Sequence, residues 1–132
     1  MTEEEFLEQT PSKFSWKARL KSFVFAWRGI IDFFKTEHNA QIHLGVTVIV
    51  IFLSIFLRVS RFETIAIVFS IALVWITEML NTAIEKTMDF ISLQRRPQIK
   101  IIKDLSAGAV LIATIAAVIV GCIIFVPKII SL

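Results

Sequence analysis

The chain has 132 residues, room for one domain, and 56% of them are hydrophobic, above the roughly 45–50% of ordinary globular domains. With a mean hydropathy of +0.77, that composition argues against a water-soluble globule. The net charge of +3 is set along the chain at the ends of apolar runs, which argues against nucleic acid as the partner.

Residues 1–12 read as a polar tail, with Pro11 as the break before the first periodic segment. The opening MTEEEFLEQT is acidic and has no apolar core. No cleavable signal is therefore expected, and the first span should direct its own insertion. Residues 13–132 read as a single membrane domain.

Over about 14–35 the apolar residues Leu20, Phe23, Val24, Trp27, Ile30, Ile31 and Phe34 recur at three and four positions, one face of a helix. Lys17, Lys21, Arg28, Asp32 and Lys35 take much of the rest. A basic amphipathic helix with aromatic residues suits the membrane interface. The alternative is a helix packed on a partner protein.

TEHNAQIH, residues 36–43, leads into the first apolar run. Spans are expected over about 39–58, 63–90 and 101–127, since a crossing needs roughly 20 residues. RVSRFE makes the first two a tight hairpin, and Pro97 marks a helix break before the third. Cys122, the single cysteine, lies in the third run and reads as a packing residue. Eleven of the fourteen Lys and Arg lie before the first span or around the 90–103 connection. By the positive-inside rule these segments are cytoplasmic. The fold class is thus an all-α membrane protein: an N-terminal amphipathic surface helix and three transmembrane helices.

The second span carries an anomaly. TIAIVFSIALVWIT runs directly into EMLNTAIEKTMD. At 100° per residue, Asn81 falls about 60° from Glu78, and Glu85 and Asp89 about 20° to either side of it. Glu78 and Glu85 are about 10 Å apart along the axis. Charges at membrane depth cost several kcal/mol each, so partner cations, metal, protonation or a watery cleft must compensate. Glu37 opens the first span at the same level, and Lys103-Asp104 opens the third, followed by the small residues SAGA. Carboxylates in this pattern suit Mg²⁺, which takes one or two carboxylates plus substrate phosphates. Taken alone, Lys103 and Asp104 also read as a snorkelling charge and a helix cap.

The run E-x-x-N-T-A-I-E-x-x-x-D from Glu78 to Asp89, with Lys103-Asp104, resembles the bacterial diacylglycerol kinase and undecaprenol kinase family. Arg19, Ser22-Phe23, Ala26, Gly29 and TEHNAQIH extend the resemblance over about 14–126. It implies a trimeric integral-membrane kinase of the bacterial plasma membrane, with sites shared between protomers, moving the γ-phosphate of ATP to a lipid hydroxyl with Mg²⁺. It implies that Glu78 is the general base and that Asn81 orients groups beside it. Glu37 and Glu85 would hold the metal. Arg19, Lys21, Asp89, Lys103 and Asp104 would join them around the nucleotide. Ile102 departs from the small residue usual before the lysine, and the chain has no tyrosine. TEHNAQIH looks more like the undecaprenol branch, with diacylglycerol as the alternative acceptor. From the residues alone, a proton- or cation-coupled transporter also accounts for intramembrane acids.

Overall fold

The computed structural model describes residues 13–132, so the expected polar tail over 1–12 lies outside the described residues. Among them are four helices: α1 (Trp16–Thr36), α2 (His38–Phe56), α3 (Arg61–Ile91) and α4 (Pro97–Ile130). The last three are long and apolar enough to cross a membrane. The chain is an all-α membrane protein. It divides into two units, the first ending at Thr36 and the second running from Glu37 to Leu132.

In the first unit, α1 leaves Leu20, Phe23 and Trp27 exposed, a bare apolar face on a basic helix. Two of its cations lie against nearby aromatic rings. Arg19 stands 5.4 Å from the Phe14 ring centroid and Lys21 6.0 Å from that of Phe25. Each such pair contributes about 0.5–1 kcal/mol at exposed sites.

In the second unit, α3 and α4 form the closest pair. Ile67, Ile124 and Phe125 are buried together, with Val50, Leu53, Leu57 and Val59 packed on them. Large apolar side chains such as Ile55, Phe69, Ile112 and Ile123 point outward and stay exposed. In water such a surface would aggregate; in a bilayer it is the surface required. Backbone and hydroxyl groups must then be satisfied within the protein. Ser54, Ser70 and Thr77 comply, each donating to the carbonyl four residues back, at 2.7–2.9 Å.

The turn between α2 and α3 is specified by two caps. Arg58 adopts a left-handed φ of 50°. Val59 N–H donates to Ser54 O at 3.1 Å and Arg58 N–H to Ile55 O at 3.3 Å, the paired bonds of a Schellman ending. Ser60 then caps α3. Its Oγ accepts from Glu63 N–H at 3.2 Å, while Ser60 N–H donates to Glu63 Oε2 at 2.6 Å. Lys128, in the last turn of α4, pairs with the same Glu63 oxygen at 3.2 Å. This end of the bundle is thereby tied across α3 and α4.

At the opposite end the third span begins four residues earlier than its apolar run suggests. Pro97 does not merely interrupt; it is the first residue of α4, where its fixed φ suits the helix and its missing N–H costs nothing. Gly108 of SAGA has open space around the position of a Cβ. It does not serve close helix approach within this chain.

Helix lengths set the depth of the polar stripe. α3 has 31 residues, about 46 Å at 1.5 Å per residue, against a hydrocarbon layer of about 30 Å. With the Ser60–Glu63 cap at one boundary, the layer ends near Ala83. Glu78 then lies inside the boundary, and Glu85 and Asp89 lie beyond it.

Candidate active site

The expected stripe on α3 faces the other helices. Glu78 and Asn81 are buried, 5% and 8% exposed, the two deepest polar positions of the stripe. Burial of a carboxylate and an amide requires partners, and α2 and α4 supply them.

His43, on α2, places Nε2 3.0 Å from Glu78 Oε1. Glu78 Oε2 has no bonding partner among the described residues, yet no fully buried side-chain oxygen or nitrogen there is unpartnered. Oε2 therefore keeps access to open space. One oxygen of the buried carboxylate is held and the other is presented.

From α4, Ser106 Oγ donates to Asn81 Oδ1 at 2.6 Å. Asn81 Nδ2 in turn donates to Glu85 Oε1 at 3.3 Å. The carboxylate can only accept, so it fixes which way the amide points. Removing the serine hydroxyl leaves a buried carbonyl oxygen without its donor. Ser106→Ala is expected to lower stability by about 1–3 kcal/mol, measured by reversible denaturation in micelles, with activity falling as Asn81 loses its orientation. Stability within about 0.5 kcal/mol of wild type, a surface-like effect, would contradict the geometry.

Toward the α3–α4 connection the pairs become solvent-exposed. Lys103 Nζ lies 2.5 Å from Asp89 Oδ1. Lys86 reaches back to Glu37 at 2.8 Å. Lys100 pairs with Asp104 along one face of α4. Asp89, Arg95, Arg96, Lys100, Lys103 and Asp104 line an open cleft of about 590 Å³. A separate cavity of about 230 Å³ runs among α2, α3 and α4 from His43 to Phe125, with almost wholly apolar walls. Glu78 and its partner His43 thus sit where the polar ladder meets an apolar interior.

Of the residues singled out by sequence, the second unit joins Asn81 to Glu85 and Asp89 to Lys103. Glu37 is tied to the stripe's helix through Lys86, one position beyond Glu85. Asp104 points to Lys100. Arg19 and Lys21 belong to the first unit, where they lie over Phe14 and Phe25. Among the described residues no three Asp, Glu, His or Cys side chains gather into a group able to hold a metal ion. His43 and Ser106 are the site residues that sequence reasoning missed. His43 stood only as the last residue of TEHNAQIH, and Ser106 as one of four small residues.

Known proteins share much of this sequence. The family described as prokaryotic diacylglycerol kinase matches residues 24–125. The undecaprenol kinase of Bacillus subtilis (strain 168) is 39% identical over 108 residues, 82% of this chain and 88% of that protein. The diacylglycerol kinase of Synechocystis sp. is 40% identical over 114 residues, 86% of this chain and 65% of that protein. The diacylglycerol kinase of Escherichia coli (strain K12) is 30% identical over 104 residues, covering 79% and 85%. A family match over residues 24–125 and relatives 30–40% identical place this chain of three apolar helices in the prokaryotic diacylglycerol kinase family, and its activity is that of a membrane lipid kinase.

Proposed function

We propose that the chain transfers the γ-phosphoryl group of ATP to undecaprenol, giving undecaprenyl phosphate, with Mg²⁺ and as a homotrimer of the bacterial plasma membrane. The observation that carries this reading is the position of Glu78, a buried carboxylate between an apolar cavity and a polar cleft. A lipid alcohol reaches such a group from the bilayer, and a nucleotide reaches it from water. The basic flanks set that watery side as cytoplasmic.

Glu78 Oε2 removes the proton from the lipid hydroxyl. The lipid oxygen forms its bond to the γ-phosphorus as the bond to the β,γ-bridging oxygen breaks, and ADP leaves. Phosphoryl transfer is mostly positioning and charge stabilisation, so the rest of the site binds and orients. Lys103 meets the phosphates. Its pairing with Asp89 is about half exposed at the carboxylate, and such pairs are worth roughly 0–1 kcal/mol. A triphosphate can therefore displace Asp89 at little cost. Asp104 borders the same cleft, the family resemblance adds Arg19 and Lys21 as nucleotide contacts, and Asn81 keeps Glu85 in place.

Glu37 and Glu85 would hold the metal ion. The chemistry of the donors fits: Glu85 accepts from Asn81 and Glu37 pairs with Lys86, the next residue, and such hard carboxylates suit an ion that also keeps phosphate and water ligands. When bound, it supplies neutralisation of phosphate charge.

Undecaprenol is preferred because TEHNAQIH resembles that branch and the Bacillus subtilis relative bears that name. Diacylglycerol is the second reading, favoured by the name of the Synechocystis relative. Initial rates with both lipids in matched micelles separate them. A kcat/KM for undecaprenol at least about tenfold higher, a difference of about 1.4 kcal/mol in transition-state binding, is the expected result. Reversed values would assign diacylglycerol, and equal values would contradict the preference for undecaprenol.

A further inference from the structure

The His43 ring lies against the buried Glu78 carboxylate from the neighbouring helix, and nothing in the proposed transfer uses it. The pair spans α2 and α3, 35 positions apart, at 3.0 Å. Glu78 is 5% exposed, so water supplies few of the hydrogen bonds its charge requires. An ionised carboxylate has no hydrogen to give. In the proposed base role Glu78 is ionised, so Nε2 of His43 carries the proton and donates it to Oε1.

The His43 backbone is anchored as well. Its carbonyl accepts from Thr47 Oγ1 at 2.7 Å, and Thr47 Oγ1 accepts from Trp75 Nε1 at 3.2 Å. Trp75 lies one turn before Glu78 on α3. The helix that carries the imidazole is thus tied to the helix that carries the carboxylate, just beside their side-chain contact. Glu78 is the titratable group that α3 presents to the ring. From α4 the cavity below His43 presents Thr114, Ala117 and Val118, which carry no charge.

We propose that His43 is a positioning residue for the transfer: its Nε2–H holds Oε1 of Glu78 so that Oε2 is the oxygen offered to the acceptor hydroxyl. The inference rests on the lipid-kinase reading with Glu78 as base, and adds a residue to it. A held carboxylate loses less entropy in reaching the reactive geometry than a free one. When the lipid proton passes to Oε2, the bond from Nε2–H to Oε1 is retained, so His43 neither gains nor loses a proton in the step.

The test is steady-state kinetics of wild type, His43→Ala and His43→Gln with the same lipid, varying ATP. Glutamine can place an N–H donor near the position of Nε2 without an ionisable ring. The expected result is a kcat at least about tenfold lower in His43→Ala, a typical cost of removing a group that orients a reacting side chain. KM for ATP should stay unchanged, and His43→Gln should recover most of kcat. Wild-type kcat in His43→Ala, or equal loss in both variants with intact ATP affinity, overturns the positioning role while leaving the kinase reading standing. A wild type that phosphorylates no lipid overturns both.

A second readout needs no turnover. The chain has two histidines, so ¹⁵N-histidine labelling resolves His43. Its Nε2–H resonance should be slowed in exchange, and Glu78→Ala should abolish that protection while His38 is unaffected. An Nε2 resonance without a proton in the wild type would overturn the proposal even if both His43 variants fail to fold.

Discussion

Glu78→Gln is expected to lower kcat for lipid phosphorylation by about 10²–10⁴-fold, the usual contribution of a positioned general base. The substitution is nearly isosteric, and the amide oxygen can still accept from His43 Nε2. Folding and ATP affinity should therefore survive, so the loss falls on kcat with KM for ATP little changed. Glu78→Asp keeps the charge but withdraws the carboxylate by one methylene, away from both His43 and the acceptor. Its rate should lie between those of wild type and Glu78→Gln. Glutamine activity within about tenfold of wild type would remove Glu78 from the proton transfer.

Lys103→Ala carries the second large effect. Among the cations that line the cleft, Lys103 is the one proposed to meet the transferring phosphoryl group, and removing such electrostatic stabilisation costs about 10²–10³-fold in kcat. Stability should hardly move. The carboxylate left behind, Asp89, is 52% exposed, and exposed pairs contribute roughly 0–1 kcal/mol. The contrast between collapsed turnover and preserved fold is the signature of a phosphate-binding lysine. It also discriminates against a transporter, which needs a deep acid but no lysine at the mouth. Unchanged ATP turnover in Lys103→Ala, measured in micelles with saturating lipid, would move phosphate binding elsewhere.

Periodicity made much of the fold legible in the sequence. The 100° step put Glu78, Asn81, Glu85 and Asp89 on one side of a helix, and α3 carries all four. The apolar runs and the Pro97 break foretold three spanning helices and their connections. Which groups face one another across helices was not legible. His43 and Glu78 are 35 residues apart, and Ser106 and Asn81 are 25 apart. No local pattern distinguishes a histidine that meets a carboxylate from one that faces lipid. Local signals were available for other contacts. Ser60-Arg61-Phe62-Glu63 has the spacing of a capping box, and Lys100 with Asp104 has the i,i+4 spacing of a helical pair. Asp104 is held at that spacing on α4, beside the cleft where the nucleotide is proposed to bind.

The ladder of pairs also explains how a membrane helix tolerates so many acids. Each acid is satisfied according to its depth. Glu78, deepest, takes a histidine that needs no full charge to donate. Glu85 takes an amide. Asp89 and Glu37, at the water, take lysines. Strong partners are placed where solvent can compete with them, and those are the partners the proposed nucleotide would displace. The buried bonds need not break for substrates to enter.

The most direct test is transfer of radiolabel from the γ-position of ATP, with Mg²⁺, to lipid in mixed micelles containing undecaprenol or diacylglycerol. Wild type and Glu78→Gln should be compared at equal folded concentration. Label in at least one lipid with wild type, and its loss with Glu78→Gln, is the result predicted. Folded wild type that labels neither lipid, or a Glu78→Gln protein that labels at the wild-type rate, would contradict the account of this stripe as a lipid kinase site.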